Sequence, residues 1–140
     1  MRIEVAGPED AEVRAAVQRA SFDGSRFSAG HWRAMASGLP YAEGRCLLAY
    51  DGRGEAVAAV TVWSAGLGRP GLLEPMGVHR DHRGQGYGRA ITVAAVAALR
   101  ELGATSALVA TPSSNAGAVA TYRSAGFAER EPTRDRVRDI

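Results

Sequence analysis

The order of apolar runs, turns and amphipathic stretches predicts a mixed α/β or α+β sandwich built on one sheet. Three observations carry that reading. Two apolar runs, Arg45 to Tyr50 and Ala56 to Trp63, are joined by the Gly-rich turn Asp51-Gly52-Arg53-Gly54-Glu55, which signals a β-hairpin. A long Ala-rich segment, Gly86 to Leu102, has the composition and spacing of a helix buried on a broad face. Strand and helix signals then follow one another along the chain without a linker or an internal repeat, so residues 1–140 are expected to form one domain.

Ile3 and Val5 alternate with charged residues before Gly7-Pro8, the pattern of a short strand ended by a turn. From Pro8 a helix is expected, with Val13, Ala16, Val17 and Ala20 at helical spacing, stopping near Ser21-Phe22-Asp23-Gly24. A second helix covers about His31 to Ser37 and ends at Gly38-Leu39-Pro40. After the hairpin, Gly66 to Gly71 supplies another turn, and Leu72 to Val78 reads as a third strand. Pro75 inside that strand cannot donate a ladder hydrogen bond, so a bulge or splay is expected there. The Ala-rich helix carries Ile91, Val93, Val96, Leu99 and Leu102, and Gly103 stands where a C-terminal cap belongs. Ala107 to Thr111 is a short strand stopped by Pro112. Ser113-Ser114-Asn115 offers N-cap oxygens to a last helix, Ala116 to Ala125, which Gly126 ends. Phe127 to Ile140 has room for one or two short strands, and the alternation of Arg with Glu and Asp from Arg130 to Arg138 reads as a solvated edge strand.

Bulk properties narrow the function. A 140-residue chain hides roughly two-thirds of its extended surface on folding, enough for one ordinary core. The basic side chains are all arginine, and 17 of them against 15 acids leave a net charge of only +2. They are interspersed with the acids along the chain, whereas a nucleic-acid binder gathers basic residues on one face, so no nucleic-acid partner is expected. Cys46 is the only cysteine, which excludes an intramolecular disulfide and a cysteine-based metal cluster within one chain. No apolar stretch approaches the ~20 residues of a membrane span, and the charged start lacks a signal-peptide pattern, so a soluble cytoplasmic protein without a membrane partner is expected.

The segment from Val78 to Arg89 is the most informative. It lies between a strand and the long helix, and places three glycines, Gly84, Gly86 and Gly88, in five positions. Such a backbone can approach a bulky anion, and the first helical turn points unpaired N–H groups and the positive end of its dipole at the same place. A phosphate or pyrophosphate fits there, with Arg83 and Arg89 placed to add charge-assisted contacts. The phosphate loop G-x-x-x-x-G-K-S/T is excluded because the chain has no lysine. The dinucleotide fingerprint G-x-G-x-x-G is excluded because the glycines run G-x-G-x-G. A Gly-rich turn that binds nothing is the plain alternative.

In its surroundings the segment resembles the acetyl-CoA-binding motif of the GNAT superfamily of N-acetyltransferases, R/Q-x-x-G-x-G/A. Arg83, Gly86 and Gly88 match it, Val78 ends the preceding strand, and the helix follows at once. Downstream, Asn115, Tyr122 and Gly126-Phe127 match a second family feature in the right order. The resemblance implies a mixed, mostly antiparallel sheet with a splayed central strand pair and flanking helices. It implies acetyl-CoA as cosubstrate, no metal, and transfer of acetyl to a primary amine, on a small molecule or a protein N-terminus, by direct attack in a ternary complex. Cofactor contacts are implied at Met76, Gly77 and Val78, at Arg83, Gly84, Gln85, Gly86, Tyr87, Gly88 and Arg89, and at Asn115 and Tyr122. Tyr122 is implied as general acid toward the leaving thiolate, and a main-chain donor near Met76 to Val78 as the group that stabilises the tetrahedral intermediate. Taken separately, Asn115 is explained as a helix cap and Tyr122 as a core-edge aromatic.

An amine must lose a proton as it attacks, so a base or a water chain to one is expected. Two positions that carry a glutamate in better-known members are Ala110 and Leu72 in this chain. Glu74 shares the parity of Leu72 along the strand and is the candidate base, with pairing to an arginine or recognition of the substrate ammonium as its alternatives. His31, His79 and His82 lack the spacing of a metal site and read as solvated loop residues. Phe22, Phe27, Trp32 and Trp63 belong either to an acceptor pocket or to the core. The chain ends soon after Gly126-Phe127, so the terminal hairpin usual in the family is expected to be short or completed by a partner chain, and monomer and homodimer both stay open. From a different class, a catalytically silent acyl-CoA-binding sensor or interaction module fits the same loop.

Overall fold

The two apolar runs of the hairpin become central strands of one sheet, and both of their faces are covered. In the computed structural model, which describes residues 1–22, 24–36, 44–111, 115–129 and 135–139, β1 (Arg2–Val5) and a 3-10 turn (Pro8–Asp10) lead into α1 (Ala11–Ser21) and α2 (Ala29–Ala36). The hairpin β2 (Gly44–Tyr50) and β3 (Ala56–Trp63) follows, then β4 (Pro70–Val78), a second 3-10 turn (Arg80–His82) and α3 (Tyr87–Glu101). The chain closes with β5 (Ser106–Ala110), α4 (Ala116–Ser124), β6 (Ala128–Glu129) and β7 (Asp135–Asp139). Sheet order is β1-β2-β3-β4-β5-β7-β6. Every neighbouring pair is antiparallel except β4 with β5. The mixed, mostly antiparallel sheet with flanking helices is therefore present.

Strand alternation sorts the core into two layers. Leu47, Ala49, Ala58, Val60 and Val62 point to one face and pack with Ile91, Ala95 and Leu99 of α3. Cys46, Leu48 and Ala59 point to the other and pack with Ala11, Val17 and Trp32 of α1 and α2. Strands buried on both faces read as continuous apolar runs, which is why β2 and β3 were legible.

Two helix faces differ from the sequence expectation. On α1 the buried residues are Ala11, Arg14, Ala15, Val17 and Ser21, while Val13 and Ala16 are exposed. The helix is rotated because Arg14 goes inward. Its Nη1 donates to Gln18 Oε1 at 2.8 Å, its Nε to Cys46 Sγ at 3.0 Å and its Nη2 to Thr61 Oγ1 at 3.5 Å. The guanidinium also stands over the Phe27 ring, 5.6 Å from its centroid. On α3, Val93 is exposed and Thr92 is buried, its hydroxyl satisfied by donating to the Gly88 carbonyl at 2.7 Å.

The splay expected at Pro75 takes a definite form. Ladder partners of β4 on β3 run Trp63↔Leu72 and Val62↔Leu73, then resume at Val60↔Met76, so Glu74 and Pro75 stand opposite Thr61 alone. That extra residue is a bulge, and it reverses the alternation beyond it. On the other side, β4 pairs with β5 only at Pro70, Gly71 and Leu72. From Leu73 onward the two strands part.

The C-terminal stretch is corrected in one respect. β7 lies between β5 and β6 and pairs with both, so it is an interior strand, and the two-residue β6 forms that edge of the sheet. Five ladder positions on β5 are open to it, more than β6 offers, which draws the last strand inward. The caps expected at Ser113 and Ser114, and the Pro112 stop, fall outside the described residues.

Candidate functional site

The bulge, the splay and the glycine loop meet at one place. Gly84 and Gly86 have φ of +79° and +87°, the left-handed region in which a Cβ is strained, and Gly86 is the N-cap of α3 without any side-chain cap. Among the described residues, the N–H groups of Gly86, Tyr87, Gly88 and Arg89, at the start of α3, have no protein acceptor. These amides open onto a groove of about 690 Å³. Its floor and near wall are Met76, Gly77, Val78 and the loop, its far wall is Asn115, Gly117, Ala118, Thr121 and Ser124 of the α4 region, and Ser21 and Phe22 close one end.

The parted strand supplies a second set of amides. His79 N donates to Val57 O at 2.7 Å, so alternation turns Gly77 N–H toward β3 and the N–H groups of Met76 and Val78 into the gap beside β5. Gly77 therefore serves the groove through its missing side chain: a Cβ there would lie 2.6 Å from Ser21 Cβ and 2.9 Å from Phe22 Cε2. Gly88 does the same for the helices, since a Cβ on it would meet Thr121 Cγ2 at 3.1 Å.

The arginines of the loop are committed to protein carbonyls. Arg83 donates from Nη2 to Ser21 O at 2.7 Å and from Nε to Val78 O at 3.4 Å. Arg89 donates from Nε to Ser124 O at 3.2 Å. Both guanidinium groups thus meet carbonyls at helix ends, where unsatisfied carbonyls attract a cation.

Asn115 lines the groove, and its Oδ1 accepts from Ala118 N at 3.1 Å as the N-cap of α4. Tyr122 is buried in the core and packs edge-to-face on Phe127, with ring centroids 5.8 Å apart. It is not among the groove-lining residues, although its neighbour Thr121 is. Burial pushes its hydroxyl up to about 12, so the group stays protonated at any physiological pH.

The family model of the acetyltransferase (GNAT) family matches residues 15–127. The chain belongs to the GNAT family. The GNAT fold is repeated in solved structures. The GNAT domain of PAT from S. lividans is 17% identical with a TM-score of 0.79, over 99% of this chain and 90% of that one. The ribosomal-protein-S18-alanine N-acetyltransferase of Escherichia coli is 19% identical with a TM-score of 0.72, over 97% and 88%. The N-acetyltransferase YhbS of Escherichia coli, solved in complex with CoA, is 20% identical with a TM-score of 0.69, over 99% and 80%. None of the curated protein sequences matches the chain.

Other expected members of this GNAT site are dispersed. Glu74 is exposed and lies outside the groove lining, with its carbonyl accepting from Trp63 Nε1 at 2.8 Å. Gln85 is also outside the lining, while Tyr87 is part of it. Of the four aromatics, Trp32 and Phe27 belong to the core beneath α1 and α2, and Phe22 reaches the groove. His31 is exposed as expected but stands in α2, where it forms a reciprocal cap with Ser28. His79 and His82 are half-buried, and His82 lines the groove. His82 also gathers with half-buried Asp51 and exposed Glu55, their ligand-type atoms within 4.8 Å of one another. Asp51 Oδ1 is already used there, accepting the N–H groups of Arg53 and Glu55 that shape the hairpin turn.

Sequence reasoning missed Ser21, Thr121 and Ser124 as groove residues. For the α4 wall a signal existed: Gly117, Thr121 and Ser124 fall at i, i+4 and i+7, a face of small side chains that leaves room beside the helix.

Proposed function

We propose that the protein transfers acetyl from acetyl-CoA to a primary amine by direct attack in a ternary complex. The observation that carries this reading is the run of main-chain N–H groups from Gly86 to Arg89, without protein acceptors among the described residues and set at the positive end of α3 above a groove. A diphosphate there exchanges water for a set of fixed donors, at a helix N-terminus that favours negative charge. The N–H groups of Met76 and Val78, freed by the splay, suit the pantetheine arm and the thioester carbonyl, where a fixed donor stabilises developing oxyanion charge. Neither set needs an ionisable side chain. The amide of Asn115, whose oxygen is spent on the cap, keeps its N–H for the cofactor.

Tyr122 enters as the donor to the leaving sulfur. A hydroxyl held protonated by burial is always in the donor state, and a hydrogen bond to the thiolate lowers the cost of expelling it. Glu74 is the candidate base, acting through water across the open side of β4. The acceptor is a small-molecule amine or a protein N-terminal amine, and a lone buried free thiol at Cys46 suits a reducing compartment, the cytoplasm.

One observation favours a second reading. Glu74 and Tyr122 both lie outside the groove lining, which suits an acyl-CoA-binding module without turnover. Release of free thiol from acetyl-CoA, measured against a panel of amines, decides between them. Amine-dependent release that Tyr122→Phe lowers about tenfold or more supports the enzyme. Calorimetric binding of CoA with no amine-dependent release supports the module, and no binding at all removes both.

A further inference from the structure

The end of α1 closes the groove, and the loop holds it there. Phe22 N donates to Gln18 O at 3.1 Å, and among the described residues the carbonyls of Arg19, Ala20 and Ser21 accept from no main-chain N–H. Each is taken by an arginine of the turn that follows β4. Arg80 donates from Nη2 to Arg19 O at 3.2 Å and from Nε to Ala20 O at 3.1 Å, and Arg83 donates from Nη2 to Ser21 O at 2.7 Å. Three orphan carbonyls at the negative end of one helix thus face two guanidinium groups, separated from them by about sixty positions in sequence.

The choice of nitrogens matters. A guanidinium grips a phosphate in a two-bond fork through adjacent N–H groups on one edge. On both arginines the Nε–Nη2 edge is the one turned toward protein carbonyls, and on Arg83 the Nε arm reaches back to Val78 O at 3.4 Å. Underneath, Gly77 admits Ser21 and Phe22 against the strand so closely that a methyl group would collide with both. The phosphate loop, the splayed strand and the end of α1 are therefore one mechanical body.

We propose that Arg80 and Arg83 are positioning residues that clamp the C-terminal end of α1 to the phosphate loop, so that filling the loop fixes Ser21 and Phe22 at the end of the groove. The inference rests on the reading of the groove as a coenzyme A site. The loop binds with its main chain and steers that end of the groove with its side chains. Order imposed on residues 84–88 by a diphosphate passes through the two guanidinium groups to α1.

Hydrogen exchange with coenzyme A as the probe tests this. In the unaltered chain, CoA slows exchange both in peptides covering Gly84 to Ala90 and in those covering Arg19 to Phe22. In the Arg80→Ala, Arg83→Ala double variant CoA still protects Gly84 to Ala90, while protection of Arg19 to Phe22 is lost. Calorimetry on Arg80→Ala alone gives a Kd raised no more than about threefold, with an unchanged dependence on salt. Arg83→Lys, a variant that keeps one donor and the charge, retains part of the protection at α1 and serves in place of the double variant should that one fail to fold. Protection of α1 that survives in the double variant overturns the clamp. So does a Kd of Arg80→Ala raised more than about threefold together with a weaker salt dependence, which makes that guanidinium a phosphate ligand. Absence of CoA binding by the unaltered chain fails at the earlier step and removes the underlying reading along with the clamp.

Discussion

The two faces of the sheet are built by different rules. On the α3 side the core is apolar, with Leu73, Ile91, Ala95 and Leu99 fully buried between helix and strands. On the α1 side a guanidinium sits in the middle of the layer, 1% exposed, with a thiol, an amide oxygen, a hydroxyl and an aromatic ring as partners and no carboxylate among the described residues. The first face is set by hydrophobic burial, which is non-directional and tolerates small shifts. The second is set by hydrogen bonds that hold only in one geometry, because a buried charge without its partners is costly. The contrast teaches where each half of the groove draws its precision: the glycine loop from backbone conformation, the α1 end from side-chain hydrogen bonds.

The largest effect is expected where that contrast is sharpest. Arg14→Ala leaves a cavity and strands the partners of the guanidinium, and a loss of about 3 kcal/mol is expected in urea denaturation. Arg14→Met fills most of the same space without a charge to desolvate, so its loss is expected at about 1 kcal/mol or less. Equal losses from both variants would erase the distinction between the faces.

Next comes Tyr122 on the apolar face. Its hydroxyl moves from 10.0 to about 12 on folding, through desolvation. Below the lower value the group is neutral in both states and its full contribution is present; as pH rises toward the upper value the unfolded chain ionises first, and stability falls. At about 1.4 kcal/mol per pH unit, the loss reaches roughly 2 to 3 kcal/mol. Urea denaturation at about pH 9 and pH 11.5 measures it, and Tyr122→Phe is expected to remove most of the difference. The rest comes from Tyr50, whose hydroxyl is also pushed up by burial and by nearby Asp10 and Glu4. A difference undiminished in the phenylalanine variant assigns the alkaline loss elsewhere.

Gly86→Ala probes the loop. At φ +87° an alanine costs about 1 kcal/mol or somewhat more, which the chain relieves by turning the neighbouring amides. CoA affinity is expected to fall about tenfold with little change in global stability. An unchanged Kd by calorimetry would separate the glycines from binding altogether.

The smallest effect separates two roles of one residue. Asn115→Ala removes the cap of α4 and is expected to cost about 1 kcal/mol, whereas Asn115→Ser keeps a capping oxygen and most of that stability. If the amide also meets the cofactor, the serine variant binds CoA about threefold more weakly by calorimetry. Unchanged affinity leaves Asn115 a cap alone.

Much of the fold was legible because it depends on local signals. The Asp51 to Glu55 turn, the two doubly buried strands, Pro75 at the bulge and Gly86 before α3 each act through their own backbone or their immediate neighbours. On α1 and α3 the expected apolar positions Val13, Ala16 and Val93 are exposed while Arg14 and Thr92 are buried, because polarity alone says nothing about whether a buried partner waits across the layer. The groove followed the same division. Its glycines announced it, but the end formed by Ser21 and Phe22, and the arginines that hold it, join segments some sixty positions apart.

By itself, the sequence determined where the backbone must turn, bulge and open a helix, since glycine and proline restrict dihedral angles wherever they stand. Tertiary structure alone decided which charged groups go inside and which main-chain donors remain free. Those outcomes depend on what packs alongside: a guanidinium is buried only when acceptors converge on it, and an amide stays open only when the neighbouring strand parts from it.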